Sequence, residues 1–266
     1  MFYNAKNKNI KVGNNNMSYC VFGKGTIPVM LIPGLGFSSV KGQAVQNAFR
    51  FKYLAENFKV YMFSRIDNIP EGYTTKEMAE DQNYVMEKLD IKNAIIYGIS
   101  MGGMVAQQLA IYHPDKVQKL ILSVTISRPN NTVLSAMDRW IKIAKLDQYK
   151  NLIVDLTEVI FSEKVLKKKR RIYPILTRMG KPASLDTFIK QASACYSHNT
   201  YEQLDSIKCN TLVIGGDNDK IVGKNSSEEI AERIKKSKLV IYEGGHSVVE
   251  EVDEYSKTVV EFMLKD

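Results

Sequence analysis

Apolar and polar positions along the chain alternate between two kinds of pattern. The first is the short, unbroken apolar run: "PVMLIPG" from Pro28, "KVYMFS" from Lys59, "NAIIYG" from Asn93, "VQKLILSV" from Val117, "NTLVIGG" from Asn210 and "SKLVIYEGG" from Ser237. Runs of this length predict strands, and "PVMLIPG" and "KVYMFS" read as buried ones, the first on both faces. Two more strands precede them, "KNIKV" and "MSYCVFG", joined by the Asn-rich turn Gly13 to Asn16. The second pattern has helical period. It covers Gln43 to Asn57, Thr74 to Leu89, about Ser100 to His113 (stopped by Pro114), Ser226 to Ile234 and about Val249 to Leu264. Thr74 followed by Glu77 is a capping-box signature at the start of the second.

Eight strands alternating with helices, most without a polar face, predict an α/β fold built on a mostly parallel eight-stranded sheet flanked by helices. The alternation stops between Arg128 and Asp205, where only helical periods and loops occur: "LSAMDRWIKIAKL", "YKNLIVDLTEVIF", "EKVLKKKRRIYPIL" and "SLDTFIKQASACY". Residues 1–127 and 206–266 therefore read as one core domain, and 128–205 as a helical insert carried above the sheet. The chain contains no internal repeat and no low-complexity linker.

Candidate chemistry lies in the loops that follow the buried strands. Gly98-Ile99-Ser100-Met101-Gly102 is a G-x-S-x-G motif between a predicted strand and a predicted helix, the context that motif requires. A serine at the tip of so tight a turn needs small neighbours two residues away on either side, which accounts for Gly98 and Gly102. The hydroxyl then stands above the carboxyl end of the sheet, beside a helix N-terminus. A serine nucleophile needs a base, and the base an acid to orient it. Of the three histidines, His113 closes a helix before Pro114 and His198 lies in the insert, where a surface or cleft position is expected. His246, in the glycine-flanked loop "YEGGHSVVEE" after the last strand, can reach over the sheet and is the predicted base. "VIGGDNDKIVG" offers Asp217 and Asp219 as the acid; Asp219, deeper in the loop, is the preferred candidate. The segment "TISRP" after the preceding strand contains no carboxylate. Oxyanion donors are expected from the backbone N–H of Met101 and, in the glycine loop "IPGLGFSS", of Leu35.

Composition changes this picture little. The chain has 266 residues, 44% hydrophobic and 25% charged, as in a soluble globular protein with a sizeable core. The formal net charge is +8 and the pI near 9.1, with a basic run at "EKVLKKKRR". Without an aromatic-rich recognition motif that run is read as a solvated helix face, and no nucleic-acid partner is expected. Cys20, Cys195 and Cys209 have neither CxxC nor metal-ligand spacing, so no metal is expected and a reducing compartment is. The N-terminus lacks a secretory h-region and no apolar run could span a bilayer, which predicts a cytoplasmic protein.

Taken together, "LIPGLGFSS", the segment from Ala79 through "IIYGISMGGMVAQQLAIYHPDKVQKLILS", "TLVIGGDNDKIV" and "EGGHSVVEE" resemble the α/β-hydrolase fold family, in the family's order. The resemblance covers most of the chain outside 128–205, which sits where this family carries its cap. It implies a Ser-Asp-His triad at Ser100, Asp219 and His246, oxyanion donors at Leu35 and Met101, and no cofactor. Two departures stand out. Pro33 occupies the position of a histidine common before the oxyanion-loop glycine, and "FSRIDNIPEGYTT" replaces the family's Asp-x-Arg-Gly-x-Gly-x-Ser run. Dehalogenases of this fold carry aspartate as nucleophile, so Ser100 argues against that activity. The expectation is a serine hydrolase cleaving a small carboxylic ester or related acyl substrate. Thioester, lactone and carbon–carbon bond hydrolysis are alternatives with the same triad, and a non-catalytic ligand-binding protein is the alternative outside catalysis. The insert is expected to set selectivity, from among Met137, Trp140, Tyr149, Phe161, Met179, Phe188 and Tyr196.

Overall fold

The computed structural model describes residues 2–37, 39–178 and 180–265. Met179, one of the insert residues singled out above, lies outside the described residues. Eight strands form one sheet: β1 (Lys6–Val12), β2 (Asn15–Phe22), β3 (Ile27–Ile32), β4 (Phe58–Ile66), β5 (Ala94–Ile99), β6 (Val117–Ser123), β7 (Asn210–Gly216) and β8 (Ser237–Tyr242). Their order is β1-β2-β4-β3-β5-β6-β7-β8. Only the β1–β2 and β2–β4 pairs are antiparallel; the other five are parallel. Five of the six apolar runs are interior strands, buried along almost their whole length in β5 and β7; the sixth is β8, an edge strand whose Lys238 and Leu239 are exposed. β1 is the other edge, and its three lysines, Lys6, Lys8 and Lys11, disfavour pairing with another chain.

Helices cover both faces: α1 (Ala44–Arg50), α2 (Lys52–Ala55), α3 (Thr75–Lys88), α4 (Met101–Tyr112), α5 (Asn131–Lys145), α6 (Tyr149–Ile160), α7 (Glu163–Lys169), α8 (Tyr173–Leu176), α9 (Asp186–Ser197), α10 (Ser226–Arg233), α11 (Val248–Glu251) and α12 (Asp253–Leu264). The expected capping box at α3 is present, with Thr74 and Glu77 satisfying each other's backbone N–H groups. Two helices read as continuous are broken. Phe51 leaves helical geometry between α1 and α2, with its ring buried, and Val252 adopts extended backbone between α11 and α12. In each case an apolar side chain turns towards the core at the expense of one helical turn.

Strand order reverses between β3 and β5, because β4 lies on one side of β3 and β5 on the other. In an open parallel sheet that reversal opens a crevice at the carboxyl ends of the strands. The loops after β3 and β5 carry the glycine segment and Ser100, so both candidate motifs border the same crevice.

Residues 124–209 join β6 to β7 and contain α5 to α9. The connection is tied down by polar contacts at its roots. Asn130 caps α5 through the Val133 N–H at 3.0 Å while its amide donates to the Val222 carbonyl at 2.7 Å. His198, expected at a surface or cleft, is instead 2% exposed. Its Nδ1 meets the Thr75 hydroxyl of α3 at 2.8 Å, and Thr200 beside it donates to Gln107 of α4 at 2.6 Å. Its place in the insert suggested a surface or cleft residue; the ring is instead held between Thr75 of α3 and the Thr200 hydroxyl at 3.3 Å.

Burial lowers the His198 pKa from 6.5 to about 3, so the folded protein holds this ring neutral. The unfolded chain takes up the proton first as pH falls. Stability from this residue is complete above about 6.5 and is lost between about 6.5 and about 3, at about 1.4 kcal/mol per pH unit. Melting temperatures measured down this range should therefore fall less steeply for H198Q than for the wild type. Parallel curves would show that His198 is not the titrating group.

Candidate active site

The turn after β5 places Ser100 at φ 54°, ψ −122°, a conformation that L-residues seldom adopt. Its neighbours hold it there. The Ser100 N–H donates to the Ser123 carbonyl at 2.8 Å, and the Thr125 hydroxyl donates to the Ser100 carbonyl at 2.8 Å. The glycines leave no room for anything larger: a Cβ on Gly102 would stand 1.9 Å from the Ile32 carbonyl oxygen, and one on Gly98 would stand 2.4 Å from the Gly102 carbonyl oxygen. Behind the turn, Tyr255 donates to the Ser123 hydroxyl at 2.8 Å and meets the Tyr97 hydroxyl at 2.6 Å, so the strand ends below Ser100 are cross-linked through the core.

Three side chains from three separate loops converge. His246 Nε2 lies 3.0 Å from Ser100 Oγ, and His246 Nδ1 lies 2.8 Å from Asp219 Oδ2. The other carboxylate oxygen, Asp219 Oδ1, accepts the N–H groups of Ile221 at 2.8 Å and Val222 at 3.0 Å. Burial pushes the Asp219 carboxyl up, but His246 and these two amides outweigh it and hold the pKa below the ordinary value. Asp219 is thus an ionised acceptor at neutral pH. Asp217, the other candidate, is turned away and accepts the Gly244 N–H at 3.0 Å. His113 pairs with Glu80 at the far end of α4.

The loop after β3 runs against the serine. A Cβ on Gly34 would lie 3.2 Å from Ser100 Cβ and 3.7 Å from Ser100 Oγ. The Leu35 and Met101 N–H groups take no acceptor among the described residues, and Met101 opens α4, whose N-terminal end favours negative charge. Phe37 in the same loop stacks on Phe188 of α9 at 4.6 Å, and Gln191 of α9 donates to the Gly36 carbonyl at 3.1 Å. Ser162, ahead of α7, donates its N–H to Glu251 at 3.0 Å, and Glu251 also accepts the hydroxyl of Ser247, next to His246.

Ser100 and His246 open into a cavity of about 500 Å³ between the sheet and α5–α9. Of the insert residues named from sequence, Met137, Trp140 and Phe161 line it. Phe188 and Tyr149 instead pack on Phe37, and Tyr196 faces solvent. Sequence reasoning missed Arg65, Gln191 and Cys195, which also form the wall. Arg65 stood in the segment that departs from the family pattern, and that departure was the available signal. Among the described residues, no group of three or more His, Cys, Asp or Glu is arranged to hold a metal ion, and no helix is long and apolar enough to cross a membrane. The three cysteines are free, and Cys20 and Cys195 are buried.

Comparison with known proteins gives a consistent picture. A family model described as alpha/beta hydrolase fold matches residues 27–252. The AB hydrolase superfamily protein YisY of Bacillus subtilis is 29% identical over 80% of this chain and 81% of its own length. A pimeloyl-[acyl-carrier protein] methyl ester esterase of Neisseria meningitidis is 29% identical over 56% of this chain and 50% of that protein. Among solved structures, the alpha/beta hydrolase MGS-M2, from a deep-sea metagenome library of the Medee basin, superposes with a TM-score of 0.84 at 20% identity, covering 96% of this chain and 97% of the other. The chain belongs to the α/β-hydrolase fold family, a family of hydrolytic enzymes.

Because the Gly102 position is closed by backbone rather than by a movable side chain, G102A should displace β3 or the turn. The expected cost is about 3 kcal/mol or more in a urea unfolding titration, with loss of whatever reactivity Ser100 has. Wild-type stability in G102A would mean the turn is looser than described.

Proposed function

We propose that this α/β hydrolase is a serine esterase, cleaving a small carboxylic ester through an acyl-enzyme intermediate. The observation that carries the reading is the unbroken hydrogen-bonded chain from Asp219 through His246 to Ser100, opening into a cavity with a largely apolar wall. Ser100 Oγ attacks the ester carbonyl while His246 Nε2 takes its proton. Negative charge that develops on the carbonyl oxygen is met by the Leu35 and Met101 N–H groups and by the positive end of α4. His246 then protonates the departing alcohol. Water enters along the same path, gives its proton to His246 as it adds to the acyl carbon, and the acid leaves as the Ser100 Oγ bond breaks and His246 returns the proton to Oγ. Asp219 fixes the tautomer that leaves His246 Nε2 free to accept, and stabilises the imidazolium without taking its proton. No cofactor enters this scheme.

In this reading residues 128–205 act as a cap over a core formed by 1–127 and 206–266, and the cap wall of Met137, Trp140 and Phe161 selects the substrate. The esterase named among the relatives supports a carboxylic ester. Three free cysteines suit a reducing compartment, and we place the enzyme in the cytoplasm.

A fluorophosphonate probe tests the reading without knowledge of the natural substrate. Intact mass and peptide mapping should find one adduct, on Ser100, absent from S100A and H246A. A folded wild-type protein that takes no adduct would sink the proposal. On any p-nitrophenyl ester that the wild type hydrolyses, D219N should lower kcat by about 10³- to 10⁴-fold, whereas D217N should stay near the wild-type rate. Equal losses in the two variants would remove Asp219 from its role.

A further inference from the structure

His246 reaches Ser100 from a segment that is held at both ends. Before it, Gly244 donates its N–H to Asp217 at 3.0 Å and accepts the Asn218 N–H at 2.9 Å, so this end is tied to the loop after β7. Beyond it the holder is Glu251, the last residue of α11. Glu251 Oε1 accepts the Ser162 N–H at 3.0 Å and the Ser247 hydroxyl, and Oε2 accepts the Ser162 hydroxyl. Ser247 directly follows His246, and Ser162 stands at the corner between α6 and α7. The insert's backbone comes close at the same point, where a Cβ on Gly245 would lie 3.8 Å from the Ile160 carbonyl oxygen.

Both serines occupy N-cap positions, Ser162 of α7 and Ser247 of α11, yet neither side chain caps its own helix. A serine there ordinarily bonds the N–H two or three residues on, and forgoing that bond weakens the helix. Both hydroxyls turn instead to one carboxylate. Burial pushes the Glu251 carboxyl up, but the bonds from Ser162 and Ser247 outweigh it and hold the pKa below the ordinary value. Glu251 is therefore an ionised acceptor at neutral pH, and each serine bond to it is charge-assisted. Ser162 also follows Ile160 and Phe161, which line the cavity beside Ser100. The group that holds the segment of the base thus holds the cavity wall as well.

We infer that Glu251 is a positioning residue, a clasp that fastens the α6–α7 corner of the insert to the segment bearing His246 and so fixes the base and the Ile160–Phe161 wall with one carboxylate. In the esterase reading, on which its catalytic half rests, the fit of the acyl group and the placement of the base depend on a single contact.

Three variants divide the clasp. S247A releases the end at the base. S162P releases the end at the insert, removing hydroxyl and N–H together; the Ser162 backbone at φ −67°, ψ 156° and the Phe161 backbone at ψ 151° suit a proline. E251A releases both. On p-nitrophenyl acetate, S247A and E251A should lower kcat by about ten-fold or more, whereas S162P should leave kcat near the wild-type value. The ratio of KM for p-nitrophenyl hexanoate to KM for the acetate should change by about three-fold or more in S162P and E251A, and hold in S247A. E251Q, which keeps a carbonyl acceptor, should fall between E251A and the wild type. Hydrogen exchange at the amides of residues 160–166 needs no turnover, and S162P and E251A should speed it by about ten-fold or more. Faster exchange in a protein that hydrolyses neither ester supports the clasp and removes the esterase reading. Unchanged exchange in both variants overturns the clasp whatever the enzyme hydrolyses. So does an E251A enzyme with wild-type kcat and KM ratio, or a loss of kcat that is alike in all three variants and tracks their melting temperatures, since Glu251 would then serve only the fold. If E251A does not fold, E251Q and S162P carry the same comparisons.

Discussion

The backbone of Ser100 is the constraint on which the site depends. Its positive φ is unfavourable for any residue with a Cβ, by about 1–3 kcal/mol in comparable cases, and it persists only because the surroundings leave no alternative. The Ser123 carbonyl, the Thr125 hydroxyl and the bare backbone of Gly98 and Gly102 each close one way out. These groups belong to β5, β6 and the turn after it, α4 and the end of β3, so the serine keeps its conformation only where the central sheet is assembled. The Tyr97–Tyr255–Ser123 hydrogen bonds extend the same requirement to α12, near the end of the chain. Packing of the core and geometry of the nucleophile are one problem, solved together.

Much of this was legible in the sequence where local chemistry and global fold agree. Unbroken apolar runs mark the interior strands β3 to β7, and the eight strands fall where they were expected, although the run at β8 proves to be an edge strand. The G-x-S-x-G turn is readable because the steric demand falls on two residues that are close in sequence. What escaped is long-range. The breaks at Phe51 and Val252 follow from where the core takes an apolar side chain, which helical periodicity does not record. His198 reads as solvated until Thr75, more than a hundred residues earlier in the chain, is seen beside it. Asp217 and Asp219 are indistinguishable by position; the turn at Ile221 and Val222, whose amides collect Asp219 Oδ1, separates them.

The segment between β6 and β7 does more than roof the cavity. It grips the β3 loop through Phe188 on Phe37 and Gln191 on the Gly36 carbonyl, and grips the segment after His246 through Ser162 on Glu251. The glycine loop beside Ser100 and the segment after His246 are thus each fastened to the same helical layer. Met137 and Trp140 of α5 line the cavity from the same layer, and Trp140 is itself held by Asp155 of α6 at 2.6 Å.

That division bears on how such an enzyme can diversify. Exchanges at the cavity-lining positions of the helical layer reshape the space beside Ser100 and leave the contacts to the β3 loop in place. Phe188 and Gln191 differ, since altering either disturbs the β3 loop itself. Lineages descending from this protein should therefore show substitutions crowded onto one flank of α5 and α6 and sparse on the loop-facing flank of α9, a record of new appetites acquired without rebuilding the machinery that serves them.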